Sequence, residues 1–214
     1  MEFQSPRTER ASLLWERVAH GLSTLLHPFF VPLWMILILL FGDTLLANYS
    51  LSTRLYLLWV VVLYGLLLPL FSLVILRRVG WLSSYRIDER RERRIPLLLG
   101  ALFYLACALT FSLVESAYLL QKVMLGAAGC EILCLLVTLR WKISLHLTGM
   151  GAATALLFLL AFAGVGNLFW PLLGATLLSG MLASARLFLG CHTGWQILAG
   201  YLGGMAVMTG AILI

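Results

Sequence analysis

Apolar residues run along this chain in stretches long enough to cross a bilayer, separated by short polar segments. A spanning helix needs roughly 20 predominantly apolar residues. Seven stretches of that order occur, at residues 21–42, 55–76, 95–114, 117–139, 147–165, 168–189 and 193–214. They predict an all-α, polytopic transmembrane helical bundle of six or seven spanning helices. The first stretch decides the count, because "HPFFVP" places Pro28 and Pro32 in its early turns. Proline lacks the N–H that a helix interior requires and kinks or breaks it there. Residues 8–20, "TERASLLWERVAH", alternate apolar and charged side chains at helical spacing, as in an interfacial helix or a solvated one. The expected organisation is an N-terminal interfacial segment, residues 1–20, followed by a single membrane domain, residues 21–214.

Composition narrows the class. With 62% hydrophobic and 11% charged residues and a mean hydropathy of +0.99, the chain lacks the polar surface to cover an ordinary soluble core. Its net charge of +6 raises the question of nucleic acid, but the basic residues sit in short loops between apolar runs. Anionic head groups and phosphates are better partners, and no nucleic-acid partner is expected. Cys107, Cys130, Cys134 and Cys191 lie within or beside apolar runs without a C-x-x-C pair, so neither a disulfide framework nor a zinc site is indicated. No metal and no cofactor is predicted. Met1 to Gly21 is too polar for a signal-peptide core, and the first apolar run is expected to stay as an anchor.

If all seven stretches span, the N-terminus, the 77–94 and 140–146 loops and the 186–192 junction share one face. Thirteen of the 15 lysines and arginines then lie on it, and only Arg54 and Lys122 on the other. The positive-inside rule makes the crowded face cytoplasmic. Late glycines, in "GMGAATA" (149–155) and at Gly200 and Gly204, read as close helix packing. Trp141, Trp170 and Trp195 fall at segment ends, as in an interfacial belt.

Three polar stretches share the basic face: "RIDERRERRIP" (86–96), "KISLH" (142–146) and "SARLFLGCHTGWQ" (184–196). If 86–94 is helical, Arg86, Arg90 and Arg93 fall at i, i+4 and i+7 and present their guanidinium groups on one side, as a phosphate clamp would. The competing reading is a topology-setting loop whose Asp88, Glu89 and Glu92 partner the arginines. His146 and His192 each lie at the membrane surface beside cations. Such a pair suits a nucleophile and a general acid for phosphoryl transfer, with the arginines neutralising phosphate charge and no metal needed. Ser144 could add a hydrogen bond.

Together these stretches resemble the type 2 phosphatidic acid phosphatase and haloperoxidase superfamily, whose pattern is K-x6-R-P, then P-S-G-H, then S-R-x5-H-x3-D. Arg86-x6-Arg93 before Pro96 resembles the first motif, with arginine for lysine and two residues inserted before proline. "ISLH" keeps Ser144 and His146 of the second and lacks its proline and glycine. The third keeps the Arg186-x5-His192 spacing, with Ser184 displaced by one and Gln196 where the family has aspartate. The resemblance implies that His192 forms a phosphohistidine, that His146 protonates the leaving group, and that Arg86, Arg93, Ser144 and Arg186 hold phosphate. Gln196 would orient His192 without supplying negative charge. The expected setting is a bacterial cytoplasmic membrane and the expected substrate a membrane lipid phosphomonoester or diphosphate. Many integral-membrane relatives work at the outer face, whereas the charge distribution here points to the cytoplasmic one. The soluble, vanadate-dependent haloperoxidase branch does not fit this chain.

Glu131, mid-segment in "GAAGCEILCLL", is either a functional intramembrane carboxyl or a protonated group bonded between helices. Two rivals to the phosphatase remain: a catalytically degenerate scaffold that binds or moves an anionic lipid, and a structural or transport protein whose polar loops only set topology.

Overall fold

Pro28 divides the first apolar run. Helix α1 (Pro6–Leu25) stops before it and α2 (Phe30–Phe41) starts after it, the two bent by 63° in this computed structural model. The structure describes residues 6–85, 89–114 and 117–214, with side chains from Leu13 onward, so that Arg86, Asp88 and Glu115 lie outside the described residues. Carbonyls released at the break are recaptured. Thr24 O accepts from the His27 N–H at 3.2 Å, Leu25 O from Trp34 Nε1 at 3.1 Å, and Ser23 O from His146 Nε2 at 3.0 Å. Such capture spares the break the cost of leaving buried carbonyls unpaired. Pro32 falls in the first turn of α2, where its missing N–H costs little.

Helix α3 (Leu51–Val62) passes through a π-helical turn (Leu63–Leu67) into α4 (Leu68–Arg78), giving one continuous helix of 28 residues. Ser50 starts it by accepting the Thr53 N–H at 3.2 Å. There follow α5 (Arg94–Ser112), α6 (Tyr118–Thr138), α7 (Leu145–Phe162), α8 (Phe169–Phe188) and α9 (Gly194–Leu213). Among the described residues, six helices, counting Leu51–Arg78 as one, are long and apolar enough to cross a membrane, and the bent α1–α2 pair makes a seventh if it is one span. The chain is therefore an all-α integral membrane bundle, as the hydrophobic pattern predicts. Helix α1 runs through residue 20 to Leu25, so the expected interfacial segment and the start of the membrane domain share one helix.

Helix α7 is the centre, packed on α9, α8, α6 and α2. Small residues make this possible. A Cβ on Gly151 would strike the Tyr201 carbonyl of α9, and one on Gly204 the Thr148 carbonyl of α7, while one on Gly200 would lie 2.7 Å from Ser144 O. These backbones approach so closely that only hydrogen fits between them. At one end of the bundle the Asn167 N–H donates to Asp43 O at 2.9 Å, tying the end of α2 to the α7–α8 turn. At the other end lie the starts of α5, α7 and α9 and the α1–α2 break, where the polar stretches meet. Trp141, Trp170 and Trp195 are exposed at helix ends, consistent with an interfacial belt.

Candidate functional site

One cavity of about 110 Å³ at that end of the bundle takes its cations and imidazoles from four separate pieces of chain. The α1–α2 break contributes His27, the start of α5 contributes Arg93, the approach to α7 contributes Lys142 and His146, and the α8–α9 junction contributes Arg186 and His192. Three fixed cations and three imidazoles thus face one space. Glu131 of α6 lies where this cavity adjoins a smaller, mainly apolar one of about 50 Å³ deeper in the bundle. Its carboxyl makes no hydrogen bond to a described residue.

The α8–α9 junction fixes His192. Helix α9 opens with a capping box in "TGWQ": the Thr193 side chain accepts the Gln196 N–H, and Gln196 Oε1 accepts the Thr193 N–H at 3.2 Å. The same oxygen lies 3.2 Å from His192 Nδ1. An amide oxygen only accepts, so Nδ1 carries the hydrogen and Nε2 keeps its lone pair. His192 is 7% exposed. Burial, then the Arg186 guanidinium, push its pKa down from 6.5 to about 4 against a smaller upward pull from Gln196. At neutral pH the ring is uncharged.

His146 stands one residue inside α7 and is fixed the other way round. Its Nε2–H must be the donor to the Ser23 carbonyl, which leaves Nδ1 as the lone-pair nitrogen. Its ring meets His27 edge to face with centroids 5.4 Å apart. Arg186, in the last turn of α8, points Nη1 at Ser23 Oγ, 3.5 Å away, while its buried Nε has no partner among the described residues. Arg93 is buried, with Nη1 3.5 Å from the Ile143 carbonyl.

Other residues of the motifs go elsewhere. Residues 89–93 form bends and turns before α5 rather than a helix, so Arg90 and Arg93 do not share a helical side, and Arg86, the third arginine of the expected clamp, lies outside the described residues. Glu92, expected to partner an arginine, accepts from the Ser83 N–H at 2.9 Å and Ser83 Oγ at 3.1 Å. Arg90 turns outward to the Arg140 carbonyl and does not line the cavity. Ser144 precedes α7 fully buried; its N–H donates to the Gln196 carbonyl at 3.3 Å, and its hydroxyl has no partner among the described residues and is outside the cavity lining. Ser184 faces away on α8, donating to the Gly180 carbonyl at 3.0 Å.

No protein-family model, curated protein or solved structure matches the chain. Sequence reading singled out His146, His192, Arg93 and Arg186, which converge, and passed over His27, Ser23 and Lys142. His27 had a signal, a histidine directly before a helix-breaking proline, but its distance from the other polar stretches along the chain hid the link. The four cysteines are free, and among the described residues no three His, Cys, Asp or Glu side chains are placed to hold a metal ion.

Proposed function

We propose that this protein is a membrane phosphatase that removes phosphate from a lipid phosphomonoester or diphosphate through a phosphohistidine at His192. The observation that carries the reading is the His192 ring, uncharged at neutral pH, with Nδ1–H directed to Gln196 and Nε2 left as nucleophile in a cavity shared with Arg93, Lys142 and Arg186. Nε2 attacks phosphorus, the phosphorus–oxygen bond to the lipid breaks, and the departing oxygen takes a proton. The family resemblance gives that proton to His146. With Nε2–H committed to Ser23, the lone-pair Nδ1 is the nitrogen that would take up a proton from solvent as substrate binds and hand it to the departing oxygen. Water then attacks phosphorus and gives its proton to the His146 Nδ1 left neutral by the first step, and the phosphorus–nitrogen bond breaks with its electron pair returning to His192 Nε2, freeing phosphate. The cations offset charge on the phosphoryl oxygens during both steps, and positioned acid–base catalysis contributes roughly 10²- to 10⁴-fold. A cavity at the helix ends suits a phosphate carried at the depth of a lipid head group, which supports a lipid substrate, and the basic loops at that end of the bundle support a cytoplasmic site.

The deciding experiment is phosphate release by purified protein from phosphatidic acid, phosphatidylglycerol phosphate, undecaprenyl diphosphate and lipid A, beside His192→Ala. Release that disappears in the variant, with a phosphorus–nitrogen adduct trapped on the native chain, supports the reading. Binding of anionic lipid without turnover, in both proteins, would instead favour a degenerate scaffold, for which the uncharged Gln196 is the structural argument.

A further inference from the structure

The "HPFFVP" break serves more than topology. Breaking α1 at Pro28 turns His27 out of a helical run and into the wall of the polar cavity, beside His146 and Arg186. The turn also fixes its tautomer: the Phe29 N–H approaches His27 Nδ1 at 3.4 Å, a contact made across residues 27–29 because they are not helical. A backbone N–H can only donate, so Nδ1 accepts and the hydrogen of the neutral ring sits on Nε2.

Comparing the three imidazoles separates their roles. His192 spends its N–H on Gln196 and His146 spends its N–H on the Ser23 carbonyl. Each presents a lone pair as its remaining nitrogen. His27 is the reverse, with its lone pair occupied and an N–H that meets no acceptor among the described residues. A cavity lined by Arg93, Lys142 and Arg186 is built for an anion, and an N–H donor that adds no charge can bind one without repelling its cationic neighbours.

We infer that His27 is a phosphate-binding residue of this site, donating its Nε2–H to a phosphoryl oxygen of the bound ligand. The inference rests on the cavity's being a phosphate site. It assigns a function to the histidine before Pro28, which belongs to none of the three motifs.

The test uses the full chain in detergent, with inorganic phosphate and orthovanadate as probes, and compares His27→Phe, which keeps a ring and loses the donor, with His27→Gln, which restores an amide N–H. Loss of one hydrogen bond to a charged ligand should weaken binding roughly ten- to a hundredfold in the phenylalanine variant, with the glutamine variant recovering most of it. Equal weakening in both, or no change in the phenylalanine variant while native protein binds, overturns the assignment and leaves the phosphatase reading standing. Native protein that binds neither probe removes that reading and this inference with it. If the phenylalanine variant does not fold, the nitrogen resonances of histidine-labelled native protein decide. The His27 Nε2–H signal should shift and exchange more slowly with phosphate present, and a signal indifferent to phosphate overturns the proposal.

Discussion

His192 Nδ1 and Gln196 Oε1 lie 3.2 Å apart, and that oxygen simultaneously caps helix α9 through the Thr193 N–H. One amide therefore ties the start of a spanning helix to the orientation of the buried imidazole. In a serine protease, replacing the aspartate that orients a catalytic histidine by its amide costs on the order of 10⁴ in rate, because the ring takes the wrong tautomer. Here the shared oxygen can only accept, so the tautomer with a free Nε2 is kept. Gln196→Leu removes both functions. Turnover should fall at least tenfold, and the lost cap should cost about 0.5–2 kcal/mol of stability. Paired rate and thermal-melt measurements on the purified variant check both. Unchanged turnover with a lowered melt would reduce Gln196 to a helix cap.

The pH profile follows from the same pair. A histidine held near pKa 4 by burial and by Arg186 is nucleophilic when neutral, so kcat/KM should hold down to about pH 4 on its acid side rather than fade through 6.5. Gln196→Glu places a carboxylate on Nδ1–H, favours the protonated ring, and should move that acid limb to higher pH. The opposite movement, or none, would show that His192 does not set the limb.

Arg186 and Arg90 should behave differently although both belong to the basic stretches. Arg186 lines the cavity with an unpartnered Nε, whereas Arg90 turns to the Arg140 carbonyl outside it. Arg186→Lys keeps one charge but loses the planar fork, and phosphate affinity should drop about tenfold or more, the scale of losing one charge-assisted hydrogen bond. Arg90→Ala should stay within about twofold of native, since it removes no direct contact with the ligand. Titration of each variant with inorganic phosphate separates the two.

Helix packing gives a prediction independent of function. Gly204→Ala forces a methyl group against the Thr148 carbonyl, while Gly174→Ala meets nothing within 4 Å. The first should lose about 1–3 kcal/mol, as overpacking does, and the second should be near neutral or slightly stabilising. Melting temperatures in one detergent compare them directly.

Sequence by itself determined the all-α membrane class, the positions of six spanning helices, the trouble at Pro28 and the shared face of His146, His192 and Arg186. Those features are legible because bilayer thickness sets the length of an apolar run, proline lacks a donor, and alternating spans place every second loop together. The capping box was also written in "TGWQ", a local pattern of four residues. Tertiary structure decided what local rules cannot reach. Residues 89–93 are turns rather than a helix, with Glu92 accepting from Ser83, Arg90 directed to the Arg140 carbonyl and Arg93 lining the cavity. The capture of the Ser23 carbonyl by His146, across 123 positions of chain, brings the α1–α2 break and His27 into the site. Such contacts join segments that are distant in sequence, and their partners are set by how helices pack and by which carbonyls a broken helix leaves without a donor.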